Sequence, residues 1–512
     1  MPQQIFKHAR IALIVVGAFV AAEQLTIAQT EPPAGGQGGR EGGGRQRGNG
    51  GNTGGRGGMG GFMGGQGGRG GMGNMGGMGR GMQDIREALE ADFMRRDLPI
   101  FVRQLSLTED QSGVLETLYV DYEAQYQPEV ESVQMAMSQI GQTMMRSFMS
   151  PERQQRMQGM WDGMRKEMEA LEAQNGPMDD DTRRQFFRER MQKATEQFAN
   201  EAQNSGLDAE IKSGIGEMLT KMEAWQTRKS QLRDGFSEGL KAVLDDDQLS
   251  QWPAFERFLV REKTLPKGRI SGENVNLFLV IDDLRMPPEE FAKVEPHFND
   301  YETRLDGALR ARNAYLEESM PRLFKSIQQS DVDGAARIFK RQAELRSAVR
   351  DVNDEYRTTM VNALGGGETE WGRALDGAVL KAGWSRIYDD TSTARMFEAA
   401  LQIDGLEADK VQAIAEMFAQ YGTEIRPVNE RLKGLARTEE PTRIAEEGER
   451  FATAIASGVS GFARGMGGAM GGGEREDPMR KAYDERSAIG DRYEERLKAL
   501  LTPEQIESLP SG

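Results

Sequence analysis

Three stretches of the 512-residue chain carry the same apolar pattern, and this repetition limits the possible folds more than any other feature. With Leu107, Met286 and Leu406 placed at a common origin, Leu115, Val294 and Ile414 stand eight positions on, Tyr119, Phe298 and Phe418 twelve, and Tyr122, Tyr301 and Tyr421 fifteen. Those offsets share one face of an α-helix. A second set closes each stretch, with Leu244, Leu364 and Leu501 as origin. Leu232, Val352 and Ile489 lie twelve residues earlier, Phe236, Tyr356 and Tyr493 eight, and Leu240, Met360 and Leu497 four. The two origins are 137, 78 and 95 residues apart, so the ends match while the middles differ. A Met- and Gln-rich expansion between Met135 and Met168 lengthens the first unit, and a Gly-rich one from Ser457 to Gly473 lengthens the third. Trp252 to Met286 and Trp371 to Leu406 span 34 and 35 positions, the near-equality that tandem duplication produces. From Gln83 onward the chain is rich in Glu, Gln, Arg, Leu, Ala and Met without sustained alternation, so an all-α body of long amphipathic helices is expected.

Composition removes whole classes of chemistry. Without cysteine there can be no disulfide, thiolate zinc site or cysteine nucleophile. The two histidines, His8 and His297, are too few for a His-ligated cluster and leave little scope for a Ser-His-Asp triad. His297 is expected as an ordinary half-buried residue on a helix of the second unit. No pair of carboxylates stands out for acid–base work, and no Gly-rich phosphate loop follows a strand. The reading is a non-enzyme without cofactors. A formal net charge of −16 and 7% aromatic content argue against nucleic acid as a partner.

The N-terminus has the order of an export signal: Lys7, His8 and Arg10, an apolar run from Ile11 to Ala22, then small residues. Twelve helical residues rise only about 18 Å, short of a roughly 30 Å hydrocarbon core, so cleavage after Ala22 or Ala28 is expected rather than a stable membrane span. The mature protein is then periplasmic or extracellular. Residues 35–81 contain 27 glycines, with Arg40, Arg45, Arg47, Arg56, Arg69 and Arg80 against Glu41, which predicts a disordered tail. Arg56-Gly-Gly and Arg69-Gly-Gly look like RNA-binding repeats, a role that export disfavours. From residue 83 onward 57 basic side chains stand against 78 acidic ones, so a basic tail precedes an acidic body. The expected division is a signal over 1–28, a Gly/Arg/Met-rich tail over 29–82, and helical units over 83–260, 261–375 and 376–512.

Each alignment origin opens a short signature. In Leu107-Thr108-Glu109-Asp110-Gln111 and Leu501-Thr502-Pro503-Glu504-Gln505, Thr and the Gln three residues on form a capping box, with acids in the first turn and Pro503 at a tolerant position. Leu244, Asp245 and Gln248 keep this logic with Asp as cap, whereas Met286–Glu290, Leu364–Glu368 and Leu406–Lys410 are degraded forms. Paired Leu-Thr-x-x-Gln boxes on an exported, helical, histidine-poor chain resemble the Spy/CpxP family of periplasmic stress proteins. That resemblance implies a bent helical hairpin for each unit, possible homo-oligomers, and a chaperone-like role toward protein clients or envelope proteins.

Met157, Met160, Met164 and Met168 recur at spacings of 3, 4 and 4 along one helical face. A methionine stripe serves packing most often. It also suits a surface that accepts many unlike apolar partners, or a soft metal such as Cu(I) or Ag(I). The expected function is an exported, non-catalytic binding protein holding unfolded clients on Met- and aromatic-lined helical surfaces. The alternatives are a soft-metal binding or sensing protein and a structural helical spacer.

Overall fold

The computed structural model describes residues 87–149, 151–176, 207–456 and 477–510, together with scattered positions from 178 to 193. The signal, the tail and the 457–473 insertion lie outside these residues. The described residues form helices and turns, with no strand among them. A short α1 (Leu98–Gln104) precedes the long α2 (Glu109–Met149), which is followed by α3 (Pro151–Asn175), α4 (Leu207–Lys241) and α5 (Asp246–Thr264). Next come α6 (Leu277–Asp283), α7 (Pro288–Val294), α8 (Phe298–Gln328), α9 (Val332–Ala363), α10 (Glu370–Gly383) and α11 (Ser385–Tyr388). The chain continues through α12 (Ser392–Leu401), α13 (Ala408–Ala456), α14 (Pro478–Lys498) and α15 (Pro503–Glu507).

An extensive contact of α9 with α13 joins the second to the third of three helix pairs: α2 with α4, α8 with α9, and α13 with α14. Each pair brings the two aligned aromatic positions together. Ring centroids are 5.8 Å apart for Tyr122–Phe236, 5.3 Å for Tyr301–Tyr356 and 5.5 Å for Tyr421–Tyr493. A phenylalanine from the preceding segment joins each contact: Phe93, Phe278 and Phe397. The tyrosine hydroxyl at the fifteenth position also ties that segment down. Tyr122 accepts from the Asp92 amide at 3.0 Å, Tyr301 accepts from the Leu277 amide at 3.3 Å, and Tyr421 bonds to the Thr391 hydroxyl at 2.6 Å.

Two further features recur at fixed places. The residue just before each origin is left-handed: Ser106 (φ 50°), Arg285 (φ 48°) and Gly405 (φ 80°). A left-handed residue reverses the chain after the short helix and aims the next long helix back across it. Twenty-one positions after the origins stand Pro128, Gly307 and Pro427, each inside its long helix. Proline removes one ladder hydrogen bond and glycine weakens the local ladder, so both mark places where a long helix can bend around its partner.

Three apolar clusters occupy the ends of the pairs where the aromatic contacts lie. A fourth joins all three at their other ends, combining Val133 of α2, Trp225 of α4, Phe324 of α8, Phe339 of α9 and Phe451 of α13. Helices α5 and α10 bridge neighbours. Trp252 and Phe255 of α5 belong to the first cluster while Val260 packs on the second; Leu375 of α10 belongs to the second and Leu380 to the third. The 260/261 and 375/376 divisions expected above therefore fall inside continuous helices.

Candidate functional site: the capping boxes, the methionine arm and the central junction

All three boxes close locally. Thr108 N–H donates to Gln111 Oε1 at 2.9 Å and the Gln111 amide returns to Thr108 Oγ1 at 3.3 Å. The corresponding pairs are 3.0 and 2.8 Å for Asp245/Gln248, and 2.9 and 3.3 Å for Thr502/Gln505. The degraded forms behave differently: α7 begins without a side-chain cap, and after Leu364 a 3-10 turn passes the capping role to Thr369, whose hydroxyl accepts from the Gly372 amide.

The first two boxes also clasp each other. Gln111 Nε2 donates to the Val243 carbonyl at 2.8 Å, while Gln248 Nε2 donates to the carbonyls of Leu105 at 3.1 Å and Ser106 at 3.3 Å. The two carboxamides meet directly, at 2.8 and 3.0 Å. Each glutamine thus caps its own helix and accepts or donates across to the other box, closing the base of the first pair. Gln248→Ala should cost about 2–3 kcal/mol, because it orphans carbonyls at a buried site, whereas Gln505→Ala should cost about 1 kcal/mol as the loss of a cap. Denaturant unfolding of the two variants measures the difference; equal losses would reduce Gln248 to a simple cap.

The aromatic residues are internal. Tyr119, Tyr122, Tyr301, Tyr421, Phe236, Tyr356 and Tyr493 are buried, with Phe298 and Phe418 half-buried against the same clusters. They hold the helix pairs together, and the seven buried ones offer no open face to a client. Desolvation raises the phenols, Tyr119 to about 12 with help from its hydrogen bond to Glu123. His297, expected on a helix, sits half-buried in the 3-10 turn Glu295–His297 that joins α7 to α8.

The methionine stripe lies elsewhere. Met164 is buried on α3, with Met160 and Met168 half-buried one turn to either side; the side chain of Met157 lies outside the described residues. Among the described residues, none of α3 enters any of the apolar clusters. Glu172 pairs with Arg183 at 3.1 Å and Glu167 with Arg190, the register of an antiparallel return, so α3 is one side of an arm.

The most elaborate polar site is one the repeats do not announce. The loop from Leu265 to Asn276 crosses the centre of the molecule. There Glu273, fully buried, accepts from Arg312 Nη1 at 2.7 Å, Arg346 Nη1 at 3.1 Å and the Arg269 amide at 2.7 Å. Burial pulls the Arg312 guanidinium down from its ordinary range, and Glu273 opposes that pull. Asn353 Nδ2 donates to the Gly272 and Glu273 carbonyls, and Ser271 donates to Glu440 of α13 from both its amide and its hydroxyl. Gly272 (φ 82°) brings its amide within 2.7 Å of the Gly383 carbonyl. A Cβ on Gly383 would stand 2.5 Å from Val275 Cγ2, so the α10 end closes on this loop only as glycine.

Beside the junction, α4, α5 and α8 line a half-open cleft of about 520 Å³ with Phe93, Trp252 and Phe255 on its apolar wall. Its charges are interleaved. Lys229, 6% exposed, lies 3.0 Å from Glu317 and 3.7 Å from Asp92. Burial disfavours its ammonium, but the two carboxylates outweigh this and hold its pKa above the usual lysine range. Burial pushes the Asp92 carboxyl up despite Lys229, and lowers the Lys263 ammonium despite its contact with Asp97. Such neutralised pairs fix the segment before α1 against α4 and α5. No cluster of His, Asp and Glu able to hold a metal occurs among the described residues. No family model matches the sequence, no curated protein matches it, and no solved structure matches its fold.

Proposed function

We propose that the chain is an exported, non-catalytic binding protein of the cell envelope, similar in role to the Spy/CpxP chaperones, and that its client-facing element is the Met-rich arm. One observation carries this reading: the aromatic stripes are consumed by the interior of the helix pairs, while Met160 and Met168, half-buried, and Met164, buried, stand on α3 outside every apolar cluster among the described residues. Unbranched, polarizable side chains on an arm suit apolar segments of varied shape. The charged-then-apolar N-terminus supports export, and the capping boxes support the family likeness. Residues 83–512 are expected to suppress aggregation of an unfolding client at stoichiometric ratio. Replacing Met157, Met160, Met164 and Met168 by glutamine removes most of that effect; an unchanged effect excludes the arm, and no suppression by the parent chain ends the reading.

The same three thioethers on one face favour a soft-metal site as the second reading. Leucine separates the two, since Met→Leu at these positions keeps an apolar face and removes the sulfur. Cu(I) or Ag(I) binding lost in the leucine variant, with client protection absent from both chains, supports the metal reading.

A further inference from the structure

α2 differs in charge from every other long helix. Over its whole length, Glu109–Met149, it carries seven acids and a single base, Arg146, with Asp110, Asp121 and Glu131 on its outer face, whereas α4, α8 and α9 each interleave five or more bases with their acids. Glu116 pairs with Arg95 at 2.8 Å; among the described residues the other six acids make no ion pair. Three of the most exposed large apolar side chains lie on the same helix, Val114 at 37%, Val120 at 47% and Met135 at 59%. Asp110, Val114, Asp121, Glu131 and Met135 repeat at helical spacing on the side opposite the buried Tyr119, Tyr122 and Val133. The face is thus both acidic and partly apolar, with no helix of the described residues packed over it.

A complement exists in the same chain. Residues 35–82 carry six arginines against Glu41, with Phe62 and six methionines spaced among glycines. The chain enters the described body against the buried side of α2, one helix width from that outer face: Leu89 is buried with Val130 and Val133, its carbonyl accepts from the Tyr126 hydroxyl, and the Asp92 amide reaches Tyr122. A glycine-rich segment of that length spans about 35–40 Å, and Asp110 to Met135 covers about 38 Å of helix. Tethering supplies an effective concentration on the order of millimolar, enough for several weak exposed ion pairs to act together. We infer that residues 35–82 dock in cis along the outer face of α2, their arginines on Asp110, Asp121 and Glu131 and their apolar side chains on Val114, Val120 and Met135. This docking is independent of the client reading above.

The absence of cysteine makes the test direct, since two introduced thiols can be labelled alone. In the chain from Gln29 onward, Gly61→Cys is paired with Ala124→Cys on the exposed side of α2, or with Thr358→Cys on α9 as a control, and energy transfer is read between dyes. Strong transfer to position 124 at low salt is expected. It should fall as salt is raised to about 0.5 M, and about tenfold in docked-to-free ratio when the six arginines become glutamine or when Asp110, Asp121 and Glu131 become Asn, Asn and Gln. The control pair should respond to neither set. The inference is overturned by transfer indifferent to salt and to both sets of substitutions, by equal responses at 124 and 358, or by transfer that grows with protein concentration, which would assign the occupant to a second copy.

Discussion

Glu273→Ala is expected to cost about 3–5 kcal/mol and to shift the denaturant midpoint further than any other single change at the junction. The side chain is fully buried, as are Arg312 and Arg346, so its removal leaves Arg312 without its carboxylate and Arg346 with only its longer pairing to Glu87 at 3.6 Å. It also orphans the amides of Arg269 and Ile270 that hold the central loop. Glu273→Gln should fall between parent and alanine, since a carboxamide can still accept one bond but carries no charge. Replacing Glu273, Arg312 and Arg346 together by apolar residues of similar volume should be far milder than Glu273→Ala alone, because the penalty arises from unpaired charge rather than from lost attraction. Urea unfolding followed by helicity measures all three. A Glu273→Ala loss under about 1 kcal/mol would show that water reaches the site and that the junction is not the anchor described above.

Tyr301→Ala should cost a comparable amount, about 3–5 kcal/mol, through the cavity left by a fully buried ring. The ring stacks near Phe278 and Tyr356, and its hydroxyl donates to Asn353 Oδ1 at 3.0 Å while accepting from Leu277. Asn353 in turn holds the Gly272 and Glu273 carbonyls, so the aromatic contact of the second pair is continuous with the junction. Tyr301→Phe isolates the hydroxyl and should cost about 1–3 kcal/mol. Tyr122→Phe and Tyr421→Phe remove the matching hydroxyl bonds in the other pairs, to Asp92 and Thr391, and should be milder because neither reaches the junction. Chemical unfolding of the three phenylalanine variants ranks them; the Tyr301 variant falling last would break the link between stack and junction.

The helical pairs were legible because their determinants are local and periodic. Tyr122, Tyr301 and Tyr421 stand at one offset from their origins, and Thr502 with Gln505 satisfies a helix start within four residues. Which way the aromatic stripe faces was not legible, since an internal and an open stripe share one spacing; the structure places it inside. The left-handed turns were half hidden: Gly405 signals one, but nothing in Ser106 or Arg285 marks a positive φ. Pro128, Gly307 and Pro427 share one offset in the sequence, but a common proline or glycine does not by itself say that the helix continues through it. Glu273 could not have been found, because its partners stand 39 and 73 residues away and a glutamate beside glycines reads as surface.

The apolar cluster shared by Val133, Trp225, Phe324, Phe339 and Phe451 bears on copy number. An open array of repeats tolerates gain or loss of a member, because each touches only its neighbours. Here the members converge on a common hub, and the connecting loop of one pair is gripped by side chains of the next two. Excising the middle pair would strand both outer ones, and a fourth would find no vacant seat, so this lineage is expected to keep three while varying freely in the insertions between them.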